Sequence, residues 1–392
     1  MNRRMMLGLT VAAFGVAAAW PAVAAGVVKV GVLEAMTGQQ QSTGVQTLAA
    51  MKLYMQQHGD TVAGKKIELI VKDDGAVPEN TKRLAQELIV RDKVNFLVGF
   101  AITPTALAVA PLATQAKVPL IVANAGTSII TAKSPYIART SFTLPQSSTI
   151  IAEWALKNGV KKVVSIVSDY APGHDAEKYF VGTFKKGGGD VVETLRVPLA
   201  APDFAPFLQR ARDANPEAVY VFVPSGQGAA FVKQFIERGL DKAGIKLIGP
   251  GDVTDDDQLN GMGDQVIGTV TAHLYSADHD SKLNKEFVEA FKKANNGMRP
   301  NFMAVGGYDA MALIYAALKK TNGDTNGDKL MAAIKGMAWE SPRGPISIDP
   351  ETRDIIQNIY IRKVEKKNGE LYNVEFETFK DVKDPGKAKP AG

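Results

Sequence analysis

Hydroxyl side chains follow two neighbouring apolar segments of this chain, and both could help to bind an anion. Thr103, just ahead of Pro104, comes after residues 96–98, and Thr127 comes after residues 120–122. Both turns lead toward predicted helices, whose N-terminal N–H groups and positive dipole end favour a carboxylate. Each threonine could instead only cap its helix, the usual role of threonine at that position. Two such turns on neighbouring strands of one sheet favour anion binding.

Three further turns carry polar side chains after predicted strands. The loop 34–44 is long and polar, so it is either a binding loop or a plain surface loop. Tyr170 could stack on an apolar or aromatic ligand, with a surface tyrosine as the alternative. Asp252 lies nearest its strand end and could meet a ligand ammonium, whereas residues 255–257 are expected to begin a helix. These turns extend the candidate site into a second part of the chain.

The elements that must position these side chains follow a repeated strand–helix alternation. Four units fit the first hundred or so residues after residue 26, and the pattern restarts after residue 145. This alternation predicts an α/β fold with two similar domains, each a parallel sheet covered by helices on both faces. The segments 282–294 and 302–319 are two helices without a strand between them, so they must pack on a sheet already built. We therefore expect the chain to cross back to the first domain near Ala272 and to return near Pro345.

The amino-acid composition and the lack of catalytic motifs exclude several classes of function. The 392 residues contain no cysteine, which rules out disulfides, thiolate metal ligands and thiol nucleophiles, and the four histidines have no metal-ligand spacing. The net charge of +5 is scattered among few aromatic residues, which argues against nucleic-acid binding. Residues 59–66 nearly match a phosphate-binding loop but stand in the reverse order of helix and strand. Ser225 has no assignable histidine partner. The sequence thus predicts neither a cofactor nor a metal nor an enzyme.

Residues 1–25 have the pattern of a secretory signal peptide. Arg3 and Arg4 form a positive start, residues 5–19 are apolar, and small residues at 22 and 24 suit cleavage. A membrane anchor is the alternative, but the apolar stretch is shorter than the roughly 20 residues a spanning helix needs. We expect an exported, periplasmic protein.

Six segments together resemble one known family. They are VKVGVLEAMTGQQQSTG, FLVGFAITPTALAVAPLA, VPLIVANAGTS, VVSIVSDYAPGHDA, LIGPGDVTDDDQL and AVGGYDAMALIYAAL. In this order they resemble the type I periplasmic substrate-binding proteins of ABC transporters, leucine/isoleucine/valine-binding branch. The resemblance implies two Rossmann-like lobes with parallel sheets, joined by a three-crossover hinge that closes on the ligand. It gives an N-terminal lobe of residues 26–143 plus 273–344, a C-terminal lobe of 144–272 plus 345–380, and a disordered tail, 381–392.

The resemblance also implies a ligand cleft with contributions from both lobes. The residues that match it are Thr43, Thr103, Ala125, Thr127, Tyr170, Asp252 and Tyr308. In the family, a hydroxyl residue and the next turn hold the ligand carboxylate, which falls on Thr103, Ala125 and Thr127. A tyrosine that covers the ligand matches Tyr170, and an acid for the ligand ammonium falls on Gly251 or Asp252. Thr43 replaces an aromatic residue of the first loop, while Tyr308 lies either near the hinge or in the core.

The ligand class stays open between two possibilities. A branched-chain or other apolar amino acid would use Asp252, whereas the stretches GDVTDDDQL and LYSADHD resemble members that bind aromatic acids such as benzoates and phenylpropanoids. The implied partners are a small carboxylate and the permease subunits of an ABC importer, and we expect a monomer. The alternatives are a ligand-sensing domain of the same fold with a membrane partner, and a secreted enzyme.

Overall fold

A computed structural model describes residues 26–200 and 202–388. The predicted signal peptide and the last four residues lie outside the described residues. No helix within the described ranges is both long enough and apolar enough to cross a membrane.

Apolar, β-branched segments form the first sheet, as expected for strands buried on both faces. Its strands are β1 (Val27–Glu34), β2 (Thr61–Val62), β3 (Lys65–Asp73), β4 (Phe96–Gly99), β5 (Leu120–Val122) and β6 (Ile137–Arg139). Their spatial order is β2-β3-β1-β4-β5-β6, and all neighbours are parallel except β2 and β3. The central strand β1 is therefore buried under helices on both sides, and the turns after β4 and β5 lie side by side.

The second sheet combines a parallel half with an antiparallel half. Its strands are β7 (Lys162–Ser168), β8 (Asp190–Val197), β9 (Ala218–Phe222), β10 (Lys246–Pro250), β11 (Val270–His273), β12 (Ala338–Ser341), β13 (Gly344–Ile348), β14 (Ile355–Lys367) and β15 (Glu370–Val382). The order is β12-β13-β14-β11-β10-β9-β7-β8, with β15 added to β14. Asn368 and Gly369, both with positive φ angles, form the two-residue turn of the β14–β15 hairpin.

Ten helices in the described part of the chain cover the sheets. They are α1 (Gln41–His58), α2 (Pro78–Val90), α3 (Thr103–Ala116), α4 (Leu144–Lys157), α5 (Ala171–Lys186), α6 (Ala205–Asp213), α7 (Gly228–Glu237), α8 (Lys282–Ala294), α9 (Phe302–Lys320) and α10 (Gly327–Ile334). We call the first sheet with α1–α3 and α8–α10 the first lobe, and the second sheet with α4–α7 the second lobe. Thr143 precedes α4 directly after a lobe crossing, and its backbone N–H donates to the Gln146 side-chain oxygen at 3.0 Å.

The late helices return to the first lobe, as their lack of strands requires. Met311, Ile314 and Leu318 of α9 share one apolar core with Val30 and Phe96 of the first sheet. The chain therefore passes between the lobes three times: after β6, after β11 and after α10. This agrees with the predicted α/β fold of two lobes and three crossings.

Three local predictions differ from the structure. The predicted lobe limit between 344 and 345 falls inside β13, because the β12–β13 hairpin bonds to the second sheet while Ile346 and Ile348 pack into the first-lobe core. The predicted disordered tail starts inside β15, which continues to Val382 and is followed by a 3-10 turn, Pro385–Lys387. Residues 255–257 do not begin a helix, since their side chains turn inward and form buried hydrogen bonds.

Candidate ligand-binding cleft

The carboxyl ends of β4 and β5 place the two threonine turns together. Val98 pairs with Ile121 and Gly99 with Val122, so both strands end at the same level of the sheet. Gly99 has a φ of +123°, and a Cβ there would lie 2.3 Å from the Leu33 carbonyl oxygen. Only glycine allows this close approach, which turns the chain into α3 at the edge of the cleft.

The hydroxyls of Thr103 and Thr127 are hydrogen-bonded to each other at 2.8 Å. Both residues are buried, and neither hydroxyl caps its helix. The capping alternative is therefore wrong for both side chains. Each hydroxyl has one hydrogen to donate and two lone pairs, so the pair can present a donor to an anion at the start of α3.

Arg139 of β6 holds the turn that carries Ala125 and Thr127. Its fully buried guanidinium donates to the carbonyl oxygens of Ala125, Thr127 (2.7 Å) and Phe142 (3.0 Å). Its Nε lies 2.7 Å from the Asp354 carboxylate, which balances the buried charge. This positioning residue was missed at the sequence level, where its one signal was an arginine inside a short apolar strand.

Aromatic side chains form much of the cavity between the lobes. Tyr170 immediately precedes α5, and its ring lies nearly parallel to that of Phe222 with 6.1 Å between centroids. Phe142, at the first crossing between the lobes, supplies another ring. The structure thus brings Tyr170 to the cleft, as the resemblance implied, and adds two phenylalanines that the sequence analysis did not single out.

The closed lobes enclose a small cavity with about 20 Å³ of free space. Side chains from both lobes line it: Gln40, Ile102, Thr103, Asn124, Ala125, Phe142, Leu144, Tyr170, Pro172, Phe222, Pro224, Ser225, Asp252 and Met303. Thr127 does not line it directly and reaches it through Thr103.

Asp252 supplies a buried carboxyl to the second-lobe wall. It is 3% exposed, and its Oδ2 has no hydrogen-bond partner among the described residues. Burial raises the pKa of Asp252 to about 7, although the Arg362 guanidinium opposes this shift. An unpartnered buried carboxyl oxygen that lines a cavity is costly unless a ligand supplies a hydrogen-bond donor.

Two of the residues that the resemblance implied lie elsewhere. Thr43 is buried near the start of α1, behind the lining residue Gln40, and its backbone carbonyl accepts a hydrogen bond from Thr47. Tyr308 of α9 donates to Gln57 and lines a separate groove between α1, α9 and β12. The structure therefore brings Thr103, Ala125, Tyr170 and Asp252 to the cavity, but neither Thr43 nor Tyr308.

The lobes are closed on one another. Ser42 of α1 donates to Asp257 of the second lobe at 2.6 Å, and the Ser128 backbone N–H donates to Asp175 of α5 at 3.0 Å. Ser225, dismissed as a nucleophile, lines the cavity and donates its hydroxyl hydrogen to Asp255. These contacts join loops far apart in sequence, so neither spacing nor periodicity could have revealed them.

Such a cleft defines a class of two-lobed proteins that enclose a small solute. A family model described as "Periplasmic binding protein" matches residues 27–370. A Leu/Ile/Val-binding protein homolog 6 from Brucella abortus (strain 2308) is 46% identical over 390 residues, which are 98% of this chain and 99% of that protein.

Two solved structures are also similar. A solute-binding protein of an ABC transporter from Rhodopseudomonas palustris BisB5, in complex with 3,4-dihydroxybenzoic acid, is 68% identical with a TM-score of 0.91. The match covers 92% of this chain and 99% of that one. A second, from R. palustris in complex with 4-hydroxybenzoate, is 43% identical with a TM-score of 0.89 and the same coverage. This chain belongs to the periplasmic binding protein family, and the predictions of its fold class and of a transport solute-binding function are confirmed.

Proposed function

We propose that this protein binds a hydroxylated benzoate between its lobes and delivers it to the permease of an ABC importer. The cleft has the three features that such a ligand requires. A carboxylate would meet the Thr103–Thr127 hydroxyl pair, a flat ring would meet Tyr170 and Phe222, and a ring hydroxyl would donate to Asp252. The observation that carries the proposal is this aromatic wall between two polar ends.

The two ligand classes make different demands on the Asp252 carboxyl. An amino-acid ammonium would favour the ionised carboxylate and lower its pKa, whereas without a cationic ligand burial raises the pKa of Asp252 to about 7. Arg362 is the cation that favours the ionised form, and it lies beside Asp255 and Asp256, which compete for its charge. A benzoate needs no ammonium partner, and its own negative charge is repelled by an ionised Asp252.

The periplasmic location belongs to the same proposal. It is supported by the family and by the signal-peptide pattern of residues 1–25. The protein would bind and release its ligand unchanged, since the buried Ser225 is engaged by Asp255 rather than by a histidine base. The amino-acid alternative rests on the Leu/Ile/Val-binding name of the 46% identical relative.

The test is a pH series of titration calorimetry on protein refolded to remove any ligand retained from expression. The ligands are 3,4-dihydroxybenzoate, 4-hydroxybenzoate, benzoate and leucine, between about pH 6 and about pH 8. Because neutral Asp252 does not repel a carboxylate, we expect hydroxybenzoate affinity to rise several-fold as the pH falls through about 7. Leucine binding that weakens over the same interval, with no hydroxybenzoate binding, would overturn the proposal.

Asp252→Asn provides the matched variant. Asparagine keeps an oxygen acceptor and removes the charge, so hydroxybenzoate binding should persist and lose its dependence on pH. An amino-acid binder would instead lose affinity at every pH, because its ammonium would have no anionic partner.

A further inference from the structure

Residues 383–388, called here the C-terminal segment, are joined to the body of the protein. They follow β15 and contain the 3-10 turn Pro385–Lys387. Asp384 caps this turn by accepting a hydrogen bond from the Gly386 N–H at 2.8 Å, and it is 6% exposed. The segment is therefore anchored, although its composition resembles that of a disordered tail.

Ser128 donates hydrogen bonds to two carboxylates on the second-lobe side of the cleft. Its hydroxyl donates to Asp384 at 2.5 Å, and its backbone N–H donates to Asp175 of α5 at 3.0 Å. Ser128 itself belongs to the first lobe and directly follows Thr127, whose hydroxyl is bonded to Thr103. Ser128, the residue after Thr127, is thus the point where two second-lobe elements contact the first lobe.

The approach of the segment to Ser128 is close enough to depend on glycine. A Cβ placed on Gly386 would lie 2.3 Å from the Ser128 Oγ and 2.7 Å from its Cβ. A methyl group there would push the segment off Ser128. A small substitution at Gly386, far along the chain from Thr127, would therefore disrupt the contact with Ser128.

The other end of the segment reaches the same turn by a second route. Lys387 Nζ lies 3.5 Å from the Asp354 carboxylate, which in turn accepts from Arg139 Nε at 2.7 Å. Arg139 donates to the Thr127 carbonyl oxygen at 2.7 Å. Both ends of the segment thus act on the Thr127 turn, one through Ser128 and one through Asp354 and Arg139.

We propose that the C-terminal segment is a closure latch. Asp384 and Lys387 act as positioning residues for the Thr127 turn, and the Ser128–Asp384 bond holds the lobes together once ligand is enclosed. Because Asp384 closely follows β15 of the second sheet whereas Ser128 belongs to the first lobe, we expect their bond to break when the lobes separate. The latch must therefore act mainly on ligand release rather than on ligand capture.

The test compares two truncations by stopped-flow binding kinetics. One ends at Val382 and removes the segment, and the control ends at Ala388 and removes only residues 389–392. With 3,4-dihydroxybenzoate as the probe, we expect the first truncation to release ligand about tenfold faster, as for loss of a charge-assisted hydrogen bond. The association rate and the melting temperature of the ligand-free protein should stay close to those of the control.

Ser128→Ala and Gly386→Ala keep the chain full length and repeat the comparison if the truncated protein fails to fold. Equal release rates for these variants and the wild type would overturn the latch. If the variants lower the melting temperature of the ligand-free protein but leave the ligand release rate unchanged, the segment has only a structural role. The proposal rests on the proposed function only for the choice of probe. If the wild-type protein does not bind 3,4-dihydroxybenzoate, the proposed function is wrong. The same release kinetics measured with leucine then test the latch.

Discussion

The hydroxyl oxygens of Thr103 and Thr127 lie 2.8 Å apart, although 24 positions separate the two residues along the chain. The bond joins the first residue of α3 to the turn after β5, both at the carboxyl edge of the first sheet. Each threonine alone would suit a helix cap, but together their hydroxyls form one polar group that faces the second lobe. We therefore expect ligand recognition in this cleft to depend on the pair, since removing either hydroxyl leaves the other without its partner.

Thr103→Val should weaken binding of 3,4-dihydroxybenzoate. The substitution keeps the shape of the side chain and removes the hydroxyl, so we expect a loss of about 1–2 kcal/mol, roughly tenfold in Kd. Titration calorimetry measures it. The matched control is Thr114→Val, at the other end of α3, where the hydroxyl donates to the Ala110 carbonyl oxygen. An unchanged Kd for Thr103→Val would remove this hydroxyl from the site.

Asp252→Asn should stabilise the ligand-free protein at alkaline pH. The pKa of Asp252 in the folded protein, about 7, lies above its ordinary value of 3.8, so folding is penalised increasingly as the pH rises through this interval. Asparagine removes the penalty, and we expect a gain on the order of 3 kcal/mol at about pH 8 that shrinks toward about pH 4.

Urea unfolding at several pH values measures this gain, with the exposed Asp241→Asn on the same lobe as the control. A gain that does not depend on pH would mean that Asp252 is not the group that titrates.

The sequence predicted the scaffold well and the site in part, for a physical reason. Strand–helix alternation is a local property, and so is the position of a turn after a strand, which is why Thr103, Tyr170 and Asp252 could be selected. Ala125 was selected only through the family resemblance. The role of Phe222 could not, because an aromatic residue in a buried strand has the same pattern whether it packs in the core or faces a cavity. Ser128 and Asp384 are 256 positions apart, and only folding brings them together.

Arg139→Lys should impair ligand binding through the turn that the arginine holds. Lysine keeps the charge near Asp354 but cannot donate simultaneously to the carbonyl oxygens of Ala125 and Thr127. We expect the free energy of unfolding to fall by about 2 kcal/mol and the affinity to fall with it. Chemical denaturation and calorimetry measure the two effects. Lower stability with unchanged affinity would show that Arg139 supports the fold without positioning the Thr127 turn.

Phe222→Leu should weaken the binding of aromatic ligands more than the binding of aliphatic ligands. Phe222 lies nearly parallel to Tyr170 on the cavity wall, so leucine in its place removes a ring surface while keeping an apolar side chain. An aromatic contact is worth about 0.5–1.5 kcal/mol beyond its buried area, so the Kd for 4-hydroxybenzoate should rise about two- to tenfold. The control is Phe231→Leu, a buried ring of the same lobe that packs edge-to-face on Phe204 away from the cavity. If both variants shift the Kd equally, the effect comes from repacking of the second lobe, and the ring of Phe222 does not recognise the ligand.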